Sequence, residues 1–311
     1  MINTQFHKPV MLNEVMQNLA VKDGEVYVDG TFGAGGYSSA ILNQADCKLI
    51  AIDRDKNVER FANQLSSQFK ERFVFKNSPF SRIDKIIKEE GLSEIDGLVL
   101  DIGVSSMQLD DRERGFSFDA ETKLDMRMDN TQSLSAFEVV NQYSAEELAD
   151  IIYNFGDEVK ARQIAKIIVA KRQIQPIATC LELAEIVRSL YAGYYKTDPA
   201  TKTFQALRIF VNQELEELKQ ALACAPQILK KGGRLVVVSF HSLEDRIVKN
   251  FLKEQSGASK TYSRYDPENV INYNSVRNFQ IITKSAITPS DMEVKANPRA
   301  RSAKMRVAIK L

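Results

Sequence analysis

Tyr27-Val28-Asp29-Gly30-Thr31-Phe32-Gly33-Ala34-Gly35-Gly36 runs an apolar strand into a glycine turn that opens a helix. Glycine takes positive φ without a Cβ penalty and lets backbone approach a ligand closely. In a parallel sheet, ligands bind in the crevice beyond the carboxyl ends of the strands. The stretch therefore predicts an α/β fold with a small cofactor seated on the turn. Outward from it, strands are expected near 25–29, 48–53, 73–76 and 97–101, and helices near 37–43, 56–69 and 81–90. Such βαβ alternation implies a parallel sheet.

The identity of the cofactor turns on single positions. A dinucleotide fingerprint asks for glycine or alanine three residues after Gly35, where Ser38 stands, and Asp29 directly precedes the turn. The spacing Asp29-x-Thr31-x-Gly33-x-Gly35 resembles instead the first motif of class I S-adenosylmethionine (SAM) methyltransferases, with threonine where a first glycine is common. SAM has no pyrophosphate, so close main-chain approach matters more than a helix N-terminus aimed at phosphate. The second strand ends in Asp53, 20 residues beyond Gly33, where a carboxylate can accept both hydroxyls of a ribose. Asp55 is assigned to capping the helix that begins near Lys56. The fourth strand, Gly97-Leu98-Val99-Leu100, ends in Asp101. Three strand-end aspartates on one rim outline a pocket.

With 311 residues and 44% hydrophobic content, the chain can bury one large core or two modest ones. A net charge of +1 gives no global field for polyanions, so contact with nucleic acid has to come from local patches. One is Lys295, Arg299, Arg301, Lys304, Arg306 and Lys310, a run without an acidic residue. A solvated terminal strand explains that run equally well. Cys47, Cys180 and Cys224 follow no paired spacing, which supports neither a disulfide framework nor a zinc site and fits a reducing cytoplasm. No catalytic metal is expected. No signal pattern opens the chain and no run suits a membrane span.

After Asp101 the periodicity stops. Residues 102–133 are rich in Gly, Ser, Asp and Met, and a loop of that length is expected to be functional. Helical segments without strands follow at 145–155, 158–172 and 179–190, the last opening on Thr179-x-x-Glu182, a capping box. A helix from about Thr203 to Cys224 places Phe204, Leu207, Val211, Leu215, Leu218 and Leu222 on one face. Gly232-Gly233 then leads into Arg234–Ser239, a buried fifth strand that resumes the sheet. Late strands at 279–283 and 303–309 bring the total to seven, and 256–275 is expected to be a polar loop. The expected domains are 1–110 with 203–311, a discontinuous catalytic domain, and 111–202, an inserted all-helical domain for substrate recognition.

His241 and His7 are the two histidines. His241 follows the fifth strand in Ser239-Phe240-His241-Ser242-Leu243-Glu244-Asp245-Arg246, at the aspartate rim. Its position favours substrate contact, against a plain strand-to-helix turn in which Ser242 is the N-cap and Asp245 completes the box. No G-x-S-x-G elbow is present, which speaks against a serine hydrolase. The Asp/Asn-Pro-Pro-aromatic box of many amine-directed methyltransferases is absent after Asp101, yet Asp101 could still accept a bond from the cofactor or an exocyclic amine. The competing reading is an aspartate holding its own loop.

Eight blocks carry a resemblance: His7-Lys8-Pro9-Val10-Met11, 27–36, Leu100-Asp101-Ile102-Gly103-Val104-Ser105-Ser106, Arg114-Gly115-Phe116-Ser117-Phe118, Leu124-Asp125-Met126-Arg127-Met128-Asp129, Phe204-Gln205-Ala206-Leu207-Arg208-Ile209, 239–246, and Asn297-Pro298-Arg299-Ala300-Arg301-Ser302. Together they resemble the bacterial ribosomal RNA small subunit methyltransferase H family, which modifies cytosine N4 in 16S ribosomal RNA. The resemblance implies a class I, Rossmann-like, seven-stranded mostly parallel sheet, SAM as cofactor, and 16S ribosomal RNA of the small subunit as partner. It implies cofactor contacts at Gly35, Gly36, position Tyr37, Asp53, Phe80, Asp101 and Gln108, to which Gly33 is added as part of the turn. Catalytic roles are expected for Asp101 and His241, rim acceptors that could orient a weakly nucleophilic amine and help remove its proton. Phe80 could flank adenine or simply belong to the core. The chain departs from the pattern at Tyr37, where histidine is usual, and at Met107, where proline is usual. Main-chain contacts at 37 survive that change; a role for an imidazole does not. Oligomeric state is not encoded in these motifs, and a homodimer is compatible with them. The competing functions are a SAM-binding ribosome-assembly factor without catalysis and a nucleotide-dependent oxidoreductase, for which the third glycine is missing.

Overall fold

The computed structural model describes residues 9–119, 121–257 and 277–311. The chain forms two compact units, one of residues up to Gly103 together with Leu215–Leu311 and one of Val104–Glu214. His7, Lys8 and most of the expected 256–275 loop lie outside the described residues.

The first unit is a seven-stranded sheet of β1 (Val26–Asp29), β2 (Lys48–Asp53), β3 (Phe73–Asn77), β4 (Ile95–Asp101), β5 (Leu229–Ser239), β6 (Phe279–Ile281) and β7 (Lys304–Lys310), in the order β3-β2-β1-β4-β5-β7-β6. β1 to β5 pair in parallel, while β7 runs antiparallel to both β5 and β6. This is the seven-stranded, mostly parallel sheet that the resemblance implies. The chain moves outward from β1 to β2 and β3, then returns to place β4 on the other side of β1, so β1 and β4 flank the topological switch point. Around the sheet run α1 (Leu12–Leu19), α2 (Gly36–Gln44), α3 (Glu59–Phe69) and α4 (Ile83–Glu89). The central strands are buried on both faces, as parallel strands between helices must be: Leu98, Val99 and Leu100 are each fully covered. Ile83 and Ile87 of α4 share one apolar cluster with Leu98 and Leu100, each worth about 2 kcal/mol of burial.

The second unit holds α5 (Ser106–Asp110), α6 (Ala136–Gln142), α7 (Ala145–Gly156), α8 (Ala161–Arg172), α9 (Cys180–Arg188) and α10 (Thr201–Asn212) around their own apolar cluster. Capping boxes open four of these helices: Ser105/Gln108, Ser135/Glu138, Ser144/Glu147 and the expected Thr179/Glu182. The region 102–133 has little regular structure but is tightly held. Asn212, fully buried at the end of α10, accepts from Met128 N at 2.7 Å and donates to Met126 O at 2.7 Å. Arg114 donates to the carbonyls of Arg127 and Met128 at 2.9 and 3.0 Å, and Arg127 forks onto Asp125 at 2.7 and 2.8 Å.

The expected continuous helix from 203 to 224 is two helices. Gln213 takes a left-handed conformation, φ 52 and ψ 33, and α11 (Glu214–Ile228) begins directly after it. The apolar stripe is thereby divided: Phe204, Leu207 and Val211 serve the helical cluster, while Leu218 and Leu222 serve the sheet cluster. A 3.6-residue pattern cannot register one residue of reversed handedness, because the apolar spacing continues through it. The chain re-enters the sheet unit at Leu215, and α12 (Ser242–Gln255) and α13 (Asp291–Ala296) complete it.

The basic tail is partly spent on internal pairing. Arg306 forks onto Asp245 at 2.6 and 3.2 Å, Lys304 approaches the same carboxylate at 3.5 Å, and Lys310 donates to Asn278 at 3.2 Å. Lys295, Arg299 and Arg301 are exposed on α13 and the following turn.

Candidate active site

The glycine turn is fastened to the strands on either side of β1. Gly30 N donates to Val99 O of β4 at 3.0 Å, and Phe32 N to Ile52 O of β2 at 2.9 Å. The Phe32 ring packs on Phe73 and Phe75, with centroids 5.8 and 5.3 Å away. Gly35, at φ 77, sits where an L side chain is strained, and a Cβ there would come within 2.9 Å of the Phe32 ring. A Cβ on Gly36 would lie 2.2 Å from Pro9 Cγ, so the segment preceding α1 rests directly on the turn.

The three strand-end aspartates have different duties. Asp29 is fully buried and engages both oxygens within the turn, accepting from Thr31 N at 3.2 Å and Ser38 Oγ at 2.7 Å. It is a brace, and Ser38, in the place of a fingerprint glycine, is its hydrogen-bond donor. In sequence Ser38 reads only as a missing glycine; the signal available is a hydroxyl in the first turn of the helix that follows a strand-end carboxylate. Asp53 accepts from Gly33 N at 2.8 Å and Asp55 N at 2.9 Å, leaving a second lone pair on each oxygen for a ribose. Asp55 caps the short turn Lys56–Val58, accepting from Asn57 N at 3.0 Å, as expected. Burial pushes the carboxyls of Asp29 and Asp53 from 3.8 up to about 6.

Asp101 differs from both. Its backbone N donates to Thr31 Oγ1 at 2.6 Å, but its Oδ1 is buried with no partner. Burial, followed by the charges of Asp29 and Glu244, raises its carboxyl well above the ordinary range. A buried acceptor without a donor costs about 1–3 kcal/mol, and such an exception marks a place where a ligand donor fits.

At the neighbouring strand end, His241 is the N-cap of α12 and Glu244 completes the capping box. This corrects the expected assignment to Ser242 and Asp245. His241 has extended backbone, φ −137 and ψ 165, so helical geometry starts at Ser242, one residue later than expected. His241 Nδ1 accepts from Glu244 N at 3.4 Å, and Nε2 lies 3.0 Å from Glu244 Oε1. Asp245 is engaged instead with Arg306 and Lys304.

Phe80 opens a short turn after Pro79, half-buried against the sheet cluster; a Cβ on Gly30 would lie 3.5 Å from Phe80 Cβ. The ring thus stands beside the end of β1, where it can flank a base. Tyr37 turns away from any such role: its side chain is buried and its hydroxyl donates to Val10 O. Burial raises its phenol further above the ordinary value. Gln108 belongs to the helical unit, where its Oε1 accepts from Ser105 N at 2.9 Å. Among the described residues no group of three His, Cys, Asp or Glu suits a metal ion, and no helix is long and apolar enough to cross a membrane.

A sequence profile of the MraW methylase family matches residues 4–311. The chain belongs to the MraW methylase family. Curated relatives match over nine-tenths or more of their own length. Ribosomal RNA small subunit methyltransferase H of Rickettsia felis is 53% identical over 309 residues, covering 99% of both chains. The proteins of the same name from Maricaulis maris and Ehrlichia canis are 50% and 48% identical, covering 98% of this chain and 91% and 100% of theirs. For a member of this family the rim has suitable chemistry: a glycine-rich turn, carboxylates for hydroxyl or amine donors, and an aromatic side chain at Phe80.

Proposed function

We propose that the chain transfers the methyl group of SAM to the N4 amine of a cytosine in 16S ribosomal RNA of the small ribosomal subunit, in the cytoplasm. The observation that carries this reading is identity of about half the residues, end to end, with relatives named for small-subunit ribosomal RNA methylation. SAM, when bound, supplies an electrophilic methyl carbon on a positively charged sulfur. Gly33, Gly35 and Gly36, with the main chain at Tyr37, would admit its amino-acid end; Asp53 would take the ribose, and Phe80 the adenine. Gln108 is assigned to the same cofactor by family resemblance.

Cytosine N4 is a poor nucleophile because its lone pair conjugates with the ring, so its orientation supplies much of the acceleration. Asp101 Oδ1, buried and without a donor of its own, would accept from the amine and take its proton. His241 would shape the neighbouring wall. The base has to leave its stack to reach such a rim. The helical unit, the 102–133 segment and the exposed Lys295, Arg299 and Arg301 form the surfaces assigned to RNA, and a homodimer is compatible with this assignment.

The test is incubation with methyl-labelled SAM and small ribosomal subunits lacking the mark. Label in cytosine is the expected outcome, and its absence would sink the reading. Asp53→Ala should abolish labelling; an assembly factor independent of SAM would keep its effect on subunits in that variant.

A further inference from the structure

The fully buried carboxylate of Glu244 has no part in cofactor binding as assigned above. Its Oε2 accepts from Phe240 N at 2.8 Å and His241 N at 3.3 Å, and its Oε1 faces His241 Nε2. The Nδ1–Cε1–Nε2 edge of the imidazole is therefore turned toward one residue. On the other side, Ile102 N donates to Val238 O at 2.9 Å, which draws the end of β4 along β5, and a Cβ on Gly103 would lie 3.9 Å from Glu244 Oε1. Glu244 thus lies under the β5–α12 turn that carries His241 and against Gly103, in the segment that leaves Asp101.

We propose that Glu244 is a positioning residue for methyl transfer, fixing the His241 ring in one orientation and placing a second buried carboxylate behind Asp101. The inference rests on the transfer reading above. In that step, the amine nitrogen forms the N–C bond as the C–S bond breaks, and the C–S electron pair stays on sulfur. One amine proton passes to Asp101, leaving a neutral methylated amine, and the acid returns its proton to solvent. Asp101 is faced by Asp29 from β1, Tyr37 from α2 and Glu244 from α12. A negative charge at 244 makes Asp101 hold that proton more firmly.

Glu244→Gln keeps an oxygen for Phe240 N but removes the charge. Unchanged SAM affinity by calorimetry is expected, with the acidic limb of the labelling rate moved to lower pH by about one pH unit. Glu244→Asp, which retains charge, should leave the limb near its original position. With two histidines in the chain, nitrogen-15 NMR of the wild type, assigned through His7→Gln, reads the ring directly. A bare Nδ1 and protonated Nε2 are expected, because Nδ1 accepts from Glu244 N while Nε2 lies 3.0 Å from the Glu244 carboxylate oxygen Oε1, which holds the proton on that side. A folded Gln variant with an unmoved limb, or a wild-type ring that averages between tautomers, overturns the proposal. If the Gln variant does not fold, the wild-type tautomer decides. A wild type that labels no cytosine at any pH defeats the transfer reading instead, and the NMR result still reports on Glu244 as the holder of the ring.

Discussion

Asp29→Asn is expected to stabilise the sheet unit while changing little of its geometry. The asparagine Oδ1 can still accept from Thr31 N, and its Nδ2 can donate to Ser38 Oγ, whose hydroxyl rotates to suit. What disappears is a charge held with no exposure to solvent. The carboxyl titrates at about 6 in place of 3.8, so the folded state binds the proton more tightly than the unfolded chain. Stability contributed by the protonated form is complete below 3.8 and is lost as pH rises through about 6. Integrated across that window, ionisation of Asp29 costs about 3 kcal/mol at pH 7.5 and about 1 kcal/mol at pH 4.5. The variant should therefore exceed the wild type by about 3 kcal/mol at pH 7.5, a rise in melting temperature of roughly 6–12 °C for a unit of this size. The gap should shrink in acid. Denaturant and thermal unfolding of both proteins without cofactor, at the two pH values, reports the Asp29 contribution together with the part of the Asp101 and Asp53 shifts that the Asp29 charge causes. Equal gaps at both pH values, or a variant less stable at pH 7.5, would refute the reasoning. The gain should come with weaker binding of a cationic donor, since stabilising a strained site commonly costs function.

Gly36→Ala drives a Cβ to 2.2 Å from Pro9 Cγ; the Met11 N bond to Glu293 at 2.6 Å resists retreat. A loss of about 1–3 kcal/mol is expected in melting experiments, and an unchanged melting temperature contradicts the packing described. Asn212→Ala leaves Met128 N and Met126 O buried without partners and should cost about 2–4 kcal/mol, seen by hydrogen exchange as faster opening confined to 104–214. Arg306→Ala strips the fork from Asp245, with Lys304 as partial replacement, for a loss of about 2–3 kcal/mol at neutral pH. Because that fork holds the Asp245 carboxyl below its ordinary range, the deficit should diminish as pH falls through the carboxylate range and Asp245 becomes protonated.

The strands around the site were legible because buried parallel strands are written as short apolar runs, and their ends fell on aspartates. The glycine turn was legible because Gly33 and Gly35 do adopt positive φ. The switch at Gln213 was not, because neither glycine nor asparagine marks it. The displaced cap was not, because histidine is a rare N-cap and Ser242 beside it is a favoured one. Least legible was the division of labour among the aspartates: Asp29, Asp53 and Asp101 look alike in sequence, and only their donors distinguish a brace, a carboxylate held by two main-chain donors and an unpartnered oxygen. Tyr37 shows the same limit, since its backbone sits in the turn while its hydroxyl serves Val10.

The long excursion between β4 and β5 also constrains how the protein is born. Asp101 lies opposite Val238 in the finished sheet, so the ribosome must make the whole intervening stretch before that neighbour exists. At usual rates of synthesis the delay is on the order of ten seconds. During it, the nascent four-stranded half presents β4 as an open edge, a ready template for wrong pairing, while the α-helical excursion, rich in local contacts, can already collapse. Maturation of this chain is thus ordered by its own threading, with the middle settling before the two halves of the sheet meet.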